Sequence, residues 1–159
     1  MTSRHPEHER ALAYIRAVAG DDLAEPARRS HALSAVGQLR DTAGLDVLVR
    51  SVGSHEAIVA EAARKALVML TRQDFGTNRR KWIAWADKHR TGHRIEWLID
   101  ALLHETPDVR REASEELKRL TQEYFGYHFN QPAKERERAH RRYVLWWQDD
   151  GRRRFGAMR

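Results

Sequence analysis

Apolar residues recur along most of the chain at offsets of three, four and seven positions, with polar residues between them. That spacing places the apolar side chains on one face of an α-helix. Gly or Pro interrupts the pattern at several points, and the pattern predicts an all-α protein. The predicted helices span about 6–19, 26–40, 43–53, 56–73, 79–89, 94–104, 108–123 and 133–149.

Single residues mark several of the predicted helix ends. Gly20 is expected to stop the first helix, and Pro26 suits the first turn of the second because its φ is already helical. Asn78 has the side chain of a good N-cap for the fifth helix. The last nine residues, GRRRFGAMR, are expected to fray.

One short segment occurs twice, 50 residues apart. Residues 70–76 read LTRQDFG and residues 120–126 read LTQEYFG. The repetition predicts the same helix ending in both places. A long helix should end at Leu-Thr, and the chain should then turn at Gly76 and Gly126 with a positive φ.

Three helices share a further pattern of small and large apolar residues. Counting from Arg29, Ala60 and Arg110, each helix has Ala at the third position and aliphatic residues at the seventh and tenth. Ala allows a neighbouring helix to approach closely, and the aliphatic residues fill the space between. One helix pair cannot bury such a face alone, so the pairs are expected to stack into a solenoid.

Residues 105–120, ETPDVRREASEELKRL, resemble the second helix of HEAT repeats, particularly the short bacterial kind that is also called PBS-lyase-like. The other two copies differ, since Ala60 replaces the usual Arg and Arg28 the usual Val. The resemblance covers about residues 7–125. It implies a right-handed α–α superhelix, a HEAT-like solenoid of three helix pairs.

After each Phe-Gly turn comes a helix rich in aromatic residues. Trp82 and Trp85 in the first copy correspond to Tyr143 and Trp146 in the second. This element resembles an insertion in some bacterial HEAT-repeat proteins, and it implies two extra Trp-bearing helices. Aromatic residues three apart lie on one helix face, so we expect most of them to be core residues.

The repeats predict one HEAT-like domain over residues 1–159. Repeat 1 spans about 6–40, repeat 2 spans about 43–73 with an insertion at 74–92, and repeat 3 spans about 94–123. A C-terminal helix at 133–149 and a tail at 150–159 follow. The charged C-terminal helix either caps one end of the solenoid or forms a dimer contact, and the sequence leaves the oligomeric state open.

The chain has no cysteine, which excludes disulfides, thiolate catalysis and Cys-based zinc sites. No apolar run approaches the roughly 20 residues of a membrane span. The first twenty residues lack the apolar stretch of a signal peptide. We therefore expect a cytoplasmic protein that does not enter a membrane.

The net charge of +6 is concentrated near the C-terminus, where residues 134–159 hold nine basic and four acidic residues. The chain uses 24 Arg and only 5 Lys, a bias typical of a GC-rich genome. The alternative is a nucleic-acid-binding protein that uses the segment from Arg136 to Arg154.

Candidate catalytic chemistry is sparse. The pairs His55-Glu56 and His104-Glu105 deserve comparison with deoxyhypusine hydroxylase, a HEAT-repeat enzyme that binds iron through His-Glu pairs inside its second helices. Here both pairs fall in the turn before that helix. No phosphate-binding loop, nucleophile elbow or carboxylate pair is visible. We expect no catalytic, cofactor-binding or metal residue, and an enzyme on a HEAT scaffold is the lesser alternative.

The exposed positions of the three second helices carry mixed charges. A nucleic-acid groove would need a basic stripe, whereas a mixed surface suits a protein partner. We therefore predict a non-enzymatic scaffold or adaptor for protein–protein interaction. Trp147 is added as an exposed aromatic residue, because Trp146 and Trp147 cannot face the same way on an α-helix. The predicted partner-binding residues are His31, Ser34, Gln38, Glu61, Lys65, Met69, Arg111, Glu115, Arg119 and Trp147.

Overall fold

The computed structural model describes residues 5–158, and it divides into two compact units. The first unit comprises residues up to 70 together with residues 74–90, and the second comprises residues 71–73 and those from 91 onward. Residues 1–4 and Arg159, which belong to the predicted domain and tail, lie outside the described residues. The single HEAT-like domain stays a prediction.

The first unit is built from five helices. They are α1 (Pro6–Ala19), α2 (Pro26–Gln38), α3 (Leu45–Ser51), α4 (Ala57–Thr71) and α5 (Arg79–His89). A short 3₁₀ turn, Thr42–Gly44, precedes α3, and the last residue of α4 is counted with the second unit. In this unit α1 packs on α2, and α3 packs on α5.

The second unit contains α6 (Arg94–Ala101), α7 (Pro107–Thr121) and α8 (Ala133–Trp146). A π-helical turn, Trp147–Gly151, continues α8 into a short helix α9, Arg152–Phe155. Both α7 and α8 pack on α6. The tail from residue 151 was predicted to fray, and this is wrong for Arg152–Phe155, which form the last helix.

All eight helices predicted from the sequence are present, and residues 5–158 contain no strand. The all-α class is confirmed, whereas the HEAT-like superhelix stays a prediction. Three predicted helix-end residues are also found. Gly20 is the C-cap of α1, Pro26 opens α2, and the Asn78 side chain accepts a 3.2 Å hydrogen bond from the Lys81 backbone N–H.

The repeated segment is a repeated helix end, as predicted. Gly76 and Gly126 have φ values of +59° and +77°. The residues after the two threonines, Arg72 and Gln122, are also left-handed, with φ of 58° and 59°. These matched backbone angles end both long helices in the same way.

Each threonine also stabilises its own helix end. The backbone N–H of Gln73 donates to Thr71 Oγ1 at 3.0 Å, and that of Glu123 donates to Thr121 Oγ1 at 3.2 Å. Both threonines are buried. The threonine hydroxyl therefore accepts a hydrogen bond from a backbone N–H group that the helix no longer pairs after it ends.

The phenylalanine of each copy packs edge-on against the following aromatic helix. Phe75 meets Trp82 at 4.8 Å between ring centroids, and Phe125 meets Tyr143 at 4.7 Å. In both copies the polar tip of the second ring donates to a carbonyl in the turn, Trp82 Nε1 to Gly76 and the Tyr143 hydroxyl to Glu123. The predicted match between Trp82 and Tyr143 is confirmed.

Each unit buries its own apolar core. The core of the first unit includes Leu12, Leu33, Val36, Leu48, Val59, Leu67 and Trp82. The core of the second includes Ile95, Leu98, Leu102, Ala113, Leu117, Tyr127, Tyr143 and Trp147. In the described part of the chain, no helix has the length and apolarity needed to cross a membrane.

Candidate partner-binding surface

Helices α2 and α4 approach each other closely at Gly37 and Ala66. A Cβ atom placed on Gly37 would lie 2.7 Å from Ala66 Cα, a distance that real Cβ atoms do not reach. Ala66 is buried in this contact. Glycine is therefore required where the two helices meet.

The predicted residues of the first unit lie at or near its surface. His31, Gln38 and Lys65 are exposed, and their side chains make no hydrogen bond or ion pair within the described residues. The half-buried members are Ser34, Glu61 and Met69. Glu61 forms an ion pair with Arg64 at 3.0 Å, and Arg64 also holds Asp74 at 2.7 Å.

In the second unit, α7 carries the remaining predicted surface residues. Glu115 and Arg119 are exposed and lie one helical turn apart. They have opposite charges at the spacing of an ion pair, yet in the described chain neither side chain has a polar partner. Arg111 is half-buried, forms an ion pair with Asp108 at 3.3 Å and lies over the Phe129 ring.

Glu116, next to exposed Glu115 in the sequence, is only 3% exposed. Its Oε1 atom accepts hydrogen bonds from Arg72 Nε at 3.0 Å and from Arg94 Nη2 at 2.8 Å. The side chains of both arginines are mostly buried. The two guanidinium groups explain why a carboxylate is stable at this buried position.

Trp147 was predicted to be exposed, and this is wrong: the side chain is 4% exposed and belongs to the core of the second unit. The cause is the helical spacing, because Trp147 follows Tyr143 by four residues and so lies on the same buried face of the helix. Trp147 Nε1 donates to Glu96 Oε1 at 2.5 Å. Trp147 is a structural residue, and it does not belong to the proposed partner-binding surface.

Local sequence carries one signal for this turn. A Cβ atom on Gly151 would lie 2.9 Å from ring atoms of both Trp146 and Trp147. Gly151 thus permits both rings to pack near the backbone at the end of the turn. The prediction from helical spacing did not use this glycine.

His93 is a structural residue that the sequence analysis missed. Its Nδ1 atom accepts a hydrogen bond from the Ile95 backbone N–H at 3.1 Å and so caps α6. Because Nδ1 is the acceptor, Nε2 carries the proton and donates to the carbonyl of Met158. The imidazole ring also lies 5.1 Å from the Trp147 ring. His93 therefore ties the C-terminal segment to the start of α6.

Three consecutive arginines of the basic C-terminal segment, at positions 152–154, lie beside acids of the second unit. Arg153 and Arg154 both contact Asp150, and Arg154 also binds Glu123 at 2.7 Å. The hydrogen bond from Arg153 lowers the pKa of Asp150 below its ordinary value. Arg152 lies 3.9 Å from Glu96. These pairs reduce the positive charge that the segment offers to a polyanion.

The two His-Glu pairs lie in turns, as predicted. His55-Glu56 precedes α4, and His104-Glu105 precedes α7. His104 Nδ1 accepts a hydrogen bond from the Thr106 backbone N–H at 3.0 Å, which is a structural contact. Between residues 5 and 158, no cluster of three or more His, Asp or Glu side chains is placed to hold a metal ion.

Two titratable groups in the second unit, buried Tyr143 and half-buried His140, have shifted pKa values. Burial raises the pKa of Tyr143 to about 12, so its phenol stays protonated and donates to Glu123. Burial also lowers the pKa of His140, despite the opposing field of Asp100. Tyr143 belongs to the core of the unit, and loss of hydration by burial is the main cause of both pKa shifts.

Comparison of the chain with protein-family models, with curated proteins and with solved structures gave no significant match.

Proposed function

We propose that this protein is a cytoplasmic, non-enzymatic scaffold of HEAT-like helix pairs that binds a protein partner through its second helices, α2, α4 and α7. One observation carries the proposal. Five charged or polar side chains on these helices are exposed and have no partner within the described residues: His31, Gln38, Lys65, Glu115 and Arg119.

The contrast with neighbouring charges supports this interpretation. Arg64, Arg72, Arg94 and Arg154 are all engaged in ion pairs within their own units. The unpaired set includes both signs of charge, which favours a partner surface of mixed charge over a polyanion. Each unit contributes its own part of the surface, α2 and α4 in the first and α7 in the second.

The proposal is tested by affinity capture with charge reversal. Lys65→Glu changes the surface of the first unit, and Arg119→Glu changes that of the second. A true partner should bind the wild-type chain and lose at least about tenfold in affinity with one or both variants, equivalent to about 1.4 kcal/mol. Comparing the two variants shows which unit makes the contact.

Charge reversal elsewhere provides the matched control. Lys88 on α5 and Lys134 on α8 are exposed and lie outside the proposed surface. Lys88→Glu and Lys134→Glu should retain the partner. Equal loss of binding in the control and surface variants would show that net charge alone drives capture, and the proposal would be wrong.

A further inference from the structure

A cavity of about 390 Å³ lies in the first unit, and none of the proposed partner-binding residues lines it. It sits beside the start of α2, the end of α3 and the turn before α4. Its lining residues are Asp22, Arg29, Arg50, Ser51, Gly53, Ser54, His55 and Glu56. The proposed partner binding does not involve these lining residues.

Two arginines that line the cavity donate hydrogen bonds to successive carbonyls at the end of α1. Arg29 Nε donates to the Ala19 carbonyl at 3.3 Å, and Arg50 Nη2 donates to the Gly20 carbonyl at 3.2 Å. A guanidinium group has five N–H donors, so each arginine keeps most of its donors for another acceptor. The carbonyls orient the two groups without cancelling a full positive charge.

The matching arginine of the third repeat shows what a purely structural arginine does. Arg110 corresponds to Arg29 in the repeat pattern. Its guanidinium donates to the carbonyls of Phe129, His104 and Glu105 at 2.9, 2.7 and 2.8 Å. Arg29 is also buried, at 8% exposure, but has one carbonyl partner and an ion pair with Asp22 at 3.6 Å.

A second feature of the cavity is a buried hydroxyl without a partner. Ser51 is 2% exposed, and its Oγ atom makes no hydrogen bond within the described residues. A buried hydroxyl loses hydration on folding, and here no protein hydrogen bond compensates for that loss. Ser54 adds a donor, because its Oγ atom accepts from the Glu56 N–H at 3.1 Å and its own proton is left to donate.

The acids lie toward solvent. Asp22 has a side chain that is 84% exposed, and at 3.6 Å from Arg29 Nη1 it is too far for a hydrogen bond. Glu56 is exposed as well. The buried donors of the cavity, Arg29 and Ser51, are therefore cationic and neutral, while Arg50 and the carboxylates are exposed.

We propose that this cavity binds a phosphate monoester, with Arg29, Arg50 and the Ser51 hydroxyl donating to the phosphate oxygens. Arginine pairs readily with phosphate because its planar group presents several donors at once. Three donors from α2 and α3 suit the three terminal oxygens of a phosphate better than the two oxygens of a carboxylate. The volume leaves space for the organic group that carries the phosphate.

The test is a titration of the full chain with O-phospho-L-serine, inorganic phosphate and L-serine at constant ionic strength, followed by ¹H–¹⁵N NMR. Saturable shifts at residues 50–56 with the two phosphates, and none with serine, are expected. Tighter binding of phosphoserine than of phosphate would show that the cavity also contacts the organic group. No saturable shift in residues 50–56 up to about 20 mM of either phosphate would overturn the proposal.

Substitutions distinguish phosphate binding in the cavity from non-specific attraction to the protein's positive charge. Arg50→Gln and Ser51→Ala should each weaken phosphate binding about five- to tenfold. Ser51→Ala should not lower the thermal midpoint, because no protein hydrogen bond is lost. Arg80 is exposed on α5, so Arg80→Gln removes the same charge outside the cavity. Equal weakening by Arg50→Gln and Arg80→Gln, or unchanged binding by Ser51→Ala, would contradict the assignment.

Discussion

At the scale of single residues, the buried carboxylate of Glu116 is the most consequential group in the second unit. It lies between two arginines whose side chains are 12% and 10% exposed. Removal of one member of a buried ionic group leaves the others without compensation, and that costs more than the intact group contributes. The stability of the unit therefore depends on this one side chain more than on its exposed neighbours.

We predict that Glu116→Ala lowers the free energy of unfolding by about 3–5 kcal/mol, because the mostly buried Arg72 and Arg94 would both lose the buried carboxylate that they bind, and Arg72 would keep only a 4.0 Å ion pair with exposed Glu112. Urea denaturation followed by circular dichroism measures the loss. Glu115→Ala, at the adjacent exposed position, is the control and should change stability by no more than about 0.5 kcal/mol. Similar values for the two variants would show that the buried group contributes little.

At the scale of helices, the contact between α2 and α4 depends on the absence of a side chain at Gly37. Alanine is the better helix former by roughly 0.5–1 kcal/mol, so propensity alone predicts stabilisation by Gly37→Ala. The added Cβ would lie 2.7 Å from Ala66 Cα and 2.8 Å from Ala66 Cβ. Backbone atoms cannot move aside as a flexible side chain does. We therefore expect the clash to outweigh the gain in helix propensity, so that Gly37→Ala lowers the free energy of unfolding.

We predict that Gly37→Ala destabilises the chain by about 1–3 kcal/mol through overpacking, measured by the same urea denaturation. Gly53→Ala is a useful control, since its Cβ would meet only the side chain of Arg79, nearest at Cδ, at 2.6 Å, and that side chain is able to rotate. That variant should stay within about 0.5 kcal/mol of wild type. An unchanged or raised stability for Gly37→Ala would mean that the helices separate at low cost.

Helix positions and repeated helix ends could be predicted because local sequence determines them. The apolar spacing, Asn78, and the two Phe-Gly turns each act over a few residues. Features that depend on contacts between residues far apart in the sequence could not be predicted. Arg72 and Glu116 are 44 residues apart, and nothing near Glu116 distinguishes it from exposed Glu115. Trp147 was misplaced because Trp146, three residues after Tyr143, was assigned to the buried face, whereas that face continues at Trp147, four residues after Tyr143.

At the scale of the whole molecule, the question is whether the excess positive charge forms a binding surface for nucleic acid. Residues 134–159 carry nine of the 29 basic residues and only four of the 23 acidic ones. Composition alone therefore favours a polyanion partner. The ion pairs of Arg153 and Arg154, and the hydrogen bond of Arg142 to the Phe125 carbonyl, show that many of these arginines also have structural roles.

We predict weak DNA binding that added salt abolishes. Fluorescein-labelled duplex and single-stranded DNA would be titrated at about 50 and about 200 mM salt, and the affinity at the higher salt should fall to the non-specific range of about 10⁻⁴ M or weaker. The triple change Arg152→Ala, Arg153→Ala, Arg154→Ala should alter this background little, because those side chains lie beside acids.

A different result would change the assignment of the protein. If wild-type chain binds DNA tightly, with a steep dependence on salt that the triple variant loses, then the ion pairs with Asp150 and Glu123 open in favour of phosphates. The C-terminal helices would then be the functional surface, and the exposed residues of α2, α4 and α7 would be ordinary solvated positions. Weak DNA binding that is the same in the wild type and in the triple variant would favour a protein partner. The unpaired charges on α2, α4 and α7 are of both signs, which suits such a partner.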